Sequence, residues 1–396
     1  MILVDHTYSK KWLEQFDLVD LPLARALLRS LKLVSHSEFE DRIAQLVLDI
    51  SNKTEGRIAL FPVSRLPNKS YLNNEKRPHY GSAERIGQTL TNIERANPRF
   101  QVAPTVKGMK SEKTKHVVLV DDIVGSGRRI REYCYGLLGK SVKSWCSYHK
   151  CTLWIVVYAG HWSSVEALTH RFGYLHLENI KLWLRLPDMV TLGPREGIRQ
   201  LCSKYAKNTP KRGAPLGVGD LMTQIIFQHG CPNNAPVVLW ASGKNWKALF
   251  PNRGIPQELN SCFDTSNTDE TEAESLWQSA QYSLAMAILD RMNRGKSDAN
   301  DIQIIVVLGL LSRGIQPDKI SQLMLRNQGE ISAIIKHAKN LKLIGEDYRV
   351  TGFGRDLLDR FRHQKASSRT LVQSNEDAIR FYYPQQYRGI QRKSSS

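Results

Sequence analysis

Two adjacent carboxylates, Asp121 and Asp122, are separated by three residues from a serine flanked by glycines, Gly125-Ser126-Gly127, in the run VVLVDDIVGSGRR. Neighbouring carboxylates suit two vicinal ribose hydroxyls, which donate to them, or a hydrated Mg2+ facing them. Glycines let the backbone curl until successive amides point inward at a phosphate, and the Ser126 hydroxyl adds a donor. A helix starting just after the loop adds the partial positive charge of its N-terminus. A lone Gly-x-Gly would fit a plain strand-to-helix connection. An apolar run, two aspartates, a three-residue spacer and Ser-Gly together are more specific, and they form a seat for a sugar and its 5-phosphate.

Such a seat needs a strand before it and a helix after it, within a sheet that holds both. Residues 57–64, RIALFPVS, form an apolar run between Gly56 and Pro67, as expected of a buried strand. A helix over 82–94 places Ile86, Leu90 and Ile93 on one face, and residues 98–115 are polar, basic and aperiodic. The pattern continues with a strand at 116–120, a helix at 129–138, a second buried strand at 151–158 (CTLWIVVY) and a helix at 163–172. This alternation predicts an α/β fold, a mainly parallel sheet with helices on both faces, in which ligands sit beyond the carboxyl ends of the strands.

At 396 residues the chain exceeds one ordinary domain, and its 41% hydrophobic and 24% charged content is that of a globular protein. No apolar run approaches the ~18 residues that span a bilayer, so no membrane partner is expected. The N-terminus MILVDHTYSKKWLEQF lacks the order of a secretory signal, which makes a cytoplasmic location the expectation. Six cysteines show no CxxC pair and read as reduced, mostly buried thiols; Cys146, His149 and Cys151 lie near one another in sequence without an evident fourth zinc ligand. The net charge of +18 favours a polyanionic partner, DNA or RNA.

The Asp-Asp segment resembles the phosphoribosyl diphosphate motif of type I phosphoribosyltransferases: apolar residues, Asp-Asp, three residues, Thr or Ser, Gly, any residue, Thr. The chain departs from it at the last position, where Arg129 replaces a hydroxyl contact with a charge-assisted one. The resemblance implies phosphoribosyl diphosphate or another ribose 5-phosphate compound as ligand, with Mg2+ as cofactor. Asp121 and Asp122 would be catalytic and bind ribose or metal, while Gly125, Ser126, Gly127, Arg128 and Arg129 would hold the 5-phosphate. Ser64, Arg65 and Lys69 occupy the pyrophosphate-loop position, and Lys107, Lys110, Lys113 and Lys115 the hood that closes over it. Transfer through a loose, cationic sugar transition state asks mainly for neutralised leaving-group charge and excluded water.

Within residues 217–253, the stretches CPNNAPVVLW and NWKALFPNR resemble a signature of phosphoribosyltransferase-like proteins of bacterial conflict systems, including retron accessory proteins. Asn233 and Asn234 sit in a turn by composition and are candidates to recognise a base or acceptor, while Trp240, Trp246 and Phe250 read as core. Residues 263–275, polar and acidic, read as a linker between a domain over 1–262 and a helical domain over 276–366, followed by a basic tail, 367–396. Helices at 276–292, 301–311, 317–324 and 330–341, a hairpin turned by Gly345-Glu346-Asp347 and a closing helix from Gly354 resemble a winged helix-turn-helix. That resemblance implies nucleic-acid contact by Gln328, Ser332, Lys336 and Lys339 on the recognition helix and by Arg349 on the wing. Together the resemblances imply an antiphage effector, such as a retron toxin restrained by a reverse transcriptase and its DNA product, that transfers phosphoribosyl or glycosyl groups to a nucleotide or nucleic acid. The alternatives are a phosphoribosyl diphosphate-sensing transcription regulator and a catalytically inactive scaffold.

Overall fold

The apolar run ahead of the aspartates becomes the central strand of a five-stranded, all-parallel sheet in a computed structural model of the chain. The structure describes residues 3–63, 81–136, 139–187, 196–211, 213–263, 268–293 and 299–363. Strands in chain order are β1 (Lys32–Val34), β2 (Ile58–Pro62), β3 (Phe100–Val102), β4 (His116–Val124), β5 (Thr152–His161), β6 (Ile180–Leu186) and β7 (Ile225–Phe227). The main sheet runs β3-β2-β4-β5-β6, and β1 pairs with β7 in a separate two-stranded parallel sheet.

Residues Val117 to Val120 of β4 are wholly buried because helices cover both faces of the sheet. Val118 and Val120 pack with Ile58, Leu60, Val156 and Tyr158 on one face, and Val117 and Leu119 with Ala59, Phe61, Ile155 and Val157 on the other. The α/β parallel architecture expected from the alternation is therefore the architecture found. One local expectation is corrected. The strand does not stop at Val120: it pairs with β5 as far as Val124 opposite Gly160, because β5 is long enough to offer a ladder partner, and only Gly125-Ser126-Gly127 remain as loop. The segment 98–115, aperiodic in sequence, nonetheless contains β3 and the helix Val106–Ser111, elements too short to show a period.

A second core joins the N-terminal residues to the segment after β6: Trp12, Phe16, Leu27, Tyr205, Trp246 and Phe250 pack together, with Trp12 and Phe16 set edge-on to Trp246 at 6.0 and 5.2 Å. Trp246 and Phe250 are core residues, as their composition suggested. This layer lies over the carboxyl end of the sheet. It is tied there by buried His161 at the end of β5, whose ring nitrogens lie 3.0 Å from Thr223 Oγ1 and 3.1 Å from the Pro187 carbonyl.

The C-terminal helices Tyr282–Asn293, Ala299–Ser312, Pro317–Leu323, Gln328–Asn340 and Gly352–His363 bury a core of their own, with Ile344 bridging Val350 across the wing hairpin. Asn327 caps the helix Gln328–Asn340 in a capping box with Glu330. Two readings change here. Part of the expected linker is helix, Thr268–Gln278, with Glu272 and Glu274 buried; Arg326 donates to Glu272 Oε1 at 2.6 and 2.8 Å, a long-range pairing that composition does not register. The helix expected over 276–292 is broken at Ala280, which takes φ +59°, before Tyr282–Asn293 begins.

Candidate functional site

Asp121 and Asp122 lie inside β4 near its carboxyl end, 0% and 7% exposed. Each folds forward onto the chain, Asp121 Oδ1 accepting from the Asp122 amide at 2.9 Å and Asp122 Oδ1 from the Ile123 amide at 2.8 Å. The chain then turns through Gly127, at φ +68°, and enters the helix Arg128–Gly136. Glycine is needed at the turn for its backbone sign, and a Cβ there would also touch Leu168. Ser126 is exposed at the apex.

Arg129, one residue into that helix, reaches back to the carboxylates. Its Nε donates to Asp121 Oδ2 at 2.8 Å, and its Nη2 lies 2.7 Å from Asp121 Oδ1 and also bonds Asp122 Oδ1. One charge-assisted hydrogen bond thus reaches each carboxylate, with a further ion-pair contact to Asp121. Burial pushes the Asp121 carboxyl well above its usual range, with Arg129 pulling against it. Burial also raises Asp122, but there Arg129 and His229 outweigh it and hold the carboxyl well below that range. Arg128, by contrast, turns outward to an exposed pair with Glu132 at 2.6 Å.

The overlying layer brings two more groups to this place. Asn234, buried, sets its side chain against Gly125, where any Cβ would overlap it, and Nδ2 donates to the Val218 carbonyl at 2.6 Å. Asn233 holds the same turn through its carbonyl, which accepts from the Val218 amide at 2.9 Å. His229, which the sequence reading did not single out, follows β7 and stacks on Phe227 with ring centroids 4.9 Å apart. Its Nε2 stands 3.5 Å from Asp122 Oδ2, and neither ring nitrogen makes a well-formed hydrogen bond among the described residues. The signal that could have found it is the polar Gln228-His229-Gly230 between the apolar strand and the asparagine turn.

Ser64, Arg65 and Lys69 lie outside the described residues. The chain leaves β2 beside the aspartates, since the Val63 amide donates to the Val120 carbonyl at 2.8 Å. The hood lysines need correction: Lys113 and Lys115 precede β4 at its amino end, so Lys115 is six residues and roughly 20 Å along the strand from Asp121. The residues packed against the loop come instead from the segment after β6, Gly219 beside Ser126 and Asn234 beside Gly125.

The residues as arranged do not fit Mg2+. Both carboxylates already accept from Arg129, and among the described residues no group of three or more His, Cys, Asp or Glu is placed to hold a metal ion. A dication seeking octahedral oxygen would have to displace the guanidinium.

On the winged helix, Gln328, Ser332 and Lys336 are exposed at four-residue spacing along one face. Lys339 is turned to the wing, 2.9 Å from Glu346 and over the Tyr348 ring at 4.5 Å, and Arg349 lies 3.4 Å from Asp347. The turn before the recognition helix docks on β6, the edge strand. Leu325 is buried in the sheet core, and Asn327 Nδ2 donates to the Trp183 carbonyl at 2.8 Å.

A parallel sheet with an Asp-Asp strand, a Gly-Ser-Gly turn and a helix at its carboxyl edge, coupled to a helical domain with a wing, defines a phosphoribosyltransferase-like protein with a winged helix-turn-helix. The chain belongs to the PRTase-CE family, whose model matches residues 9–252, and the model described as wHTH-PRTase associated matches residues 305–389. No curated protein and no solved structure matches the chain significantly. Among the described residues no helix is long and apolar enough to cross a membrane.

Proposed function

We propose that the first domain binds phosphoribosyl diphosphate or another ribose 5-phosphate compound and transfers the sugar phosphate to a nucleotide or nucleic acid. The observation that carries this reading is a buried carboxylate pair followed, within one strand-to-helix turn, by Gly125-Ser126-Gly127 at a helix N-terminus. The loop amides and Ser126 would hold the 5-phosphate, and Asn234 would hold the loop in shape. Asp121 and Asp122 would face the ribose side, with Arg129 between them and the ligand. Arg65 and Lys69, after β2, are the proposed donors to pyrophosphate. The winged helix would carry DNA or RNA on the face of Gln328, Ser332 and Lys336, in keeping with the net charge of +18. The wider role of a cytoplasmic antiphage effector, restrained by a reverse transcriptase and its DNA product, rests on the sequence resemblance.

One observation favours a second reading. Arg129 occupies the carboxylates that a transferase would use, which suits a domain that binds the sugar phosphate without turning it over, as a sensor or scaffold. Calorimetric titration of phosphoribosyl diphosphate into wild-type protein and the Asp121→Asn/Asp122→Asn variant, with pyrophosphate release followed in the presence of nucleotides and nucleic acid, separates them. Binding with release that the variant loses supports transfer. Binding without release supports the sensor, and no binding removes the ribose-phosphate reading.

A further inference from the structure

We propose that this site takes its phosphosugar without a divalent cation, with the Arg129 guanidinium standing where the cation would stand. The inference rests on the reading that the cleft holds a ribose 5-phosphate compound, and it concerns how the charge of that compound is met.

The guanidinium is fixed before any ligand arrives. Nε and Nη2 engage Asp121 through both its oxygens at 2.8 and 2.7 Å, and Nη2 also reaches Asp122. The remaining oxygen of Asp122 faces His229 Nε2 at 3.5 Å. Both oxygens of Asp121 and one of Asp122 are therefore taken up by the guanidinium, and the last faces an imidazole nitrogen. A guanidinium has five N–H groups in a rigid plane. Nε donates to Asp121 and Nη2 to Asp122, and Nη1 has no partner among the described residues. The side chain is 34% exposed and sits two positions after Gly127, on the first turn of the helix whose amides face the loop. Asp121 and Asp122 thus act as positioning residues that aim a planar cation, and Nη1 is the group left to donate to a phosphate oxygen. A side chain held this way needs no dehydration of a metal ion to meet the anion, whereas Mg2+ gives up its water reluctantly.

The test is calorimetric titration of phosphoribosyl diphosphate into the full chain, once in Mg2+ and once in EDTA, with the Arg129→Ala, Arg129→Lys and Arg129→Thr variants beside the wild type. Wild-type affinity should be the same in both buffers. Arg129→Lys keeps the charge but loses the planar group that bonds both aspartates, and should weaken binding about tenfold. Arg129→Thr removes the guanidinium, restores a hydroxyl and frees both carboxylates, so its binding should appear in Mg2+ and vanish in EDTA. Thermal melts identify any variant that fails to fold, and the two wild-type titrations remain decisive if one does. Wild-type binding seen only in Mg2+ overturns the proposal and leaves the ribose-phosphate reading in place. No wild-type binding in either buffer overturns both.

Discussion

Arg129 and Asp121 meet through a hydrogen bond from Nε to Oδ2 at 2.8 Å and an ion-pair contact of Nη2 with Oδ1 at 2.7 Å, although the two residues stand eight positions apart with a helix start between them. The side chain of Asp121 is only 1% exposed, so removing the guanidinium leaves a buried carboxylate uncompensated. Arg129→Ala is expected to destabilise the domain by about 3–5 kcal/mol. Adding Asp121→Asn to that variant should return part of the loss, because the buried group is then neutral. Urea unfolding of the three proteins checks this, and equal stability of wild type and Arg129→Ala would sink it.

A methyl group at Gly125 has no room, since Asn234 fills its place while holding the Val218 carbonyl. Gly125→Ala should cost about 1–3 kcal/mol and weaken phosphosugar binding. Combining it with Asn234→Gly should recover stability without recovering binding. A Gly125→Ala protein that melts like wild type would show that the asparagine can step aside.

Glu272 and Arg326 form a buried pair, 0% and 14% exposed, between the helix Thr268–Gln278 and the turn that docks on β6. Either single change to Met should be costlier than the double change, because each single one strands a partner in the interior. A double-mutant cycle in denaturant measures this. Additive losses would mean that the two residues act independently.

Burial lowers the pKa of His116, whose Nδ1 accepts from Trp154 Nε1 at 3.2 Å while Nε2 lies 3.0 Å from the Glu55 carbonyl. A proton on Nδ1 would oppose the Trp154 donor. The unfolded chain therefore takes the proton first, at about pH 6.5, and the folded chain only lower. Stability from this group is complete above that pH and is lost as pH falls through the folded value. The slope of Tm between about pH 7 and 5 should be shallower in His116→Gln than in wild type.

Lys336 is exposed on the recognition face, whereas Lys339 is paired with Glu346. If the domain binds duplex DNA, Lys336→Ala should weaken it and reduce the salt slope by about one, with a smaller effect from Lys339→Ala. Fluorescence anisotropy across a salt series reads both. A larger loss at Lys339 would assign the contact to the wing side.

Much of the first domain is legible along the chain because its signals are local. Val117 to Val120 form an unbroken apolar run, as a strand covered on both faces must, and Gly125 and Gly127 announce a tight turn. The three-residue strands β1, β3 and β7 carry no period of their own, and the acidic helix Thr268–Gln278 reads as a linker until Arg326 is placed beside Glu272.

The residues in order are enough to place a carboxylate pair before a Gly-Ser-Gly turn in a parallel α/β domain, with a winged helical unit after it. Only the tertiary structure decided what those carboxylates touch: Arg129 folded back onto both, His229 set 3.5 Å from Asp122 and Asn234 packed on Gly125. The reason is physical. Turn chemistry and apolar periodicity act over a few residues, whereas a buried carboxylate takes as its partner whichever donor the packing of distant segments brings within about 3 Å.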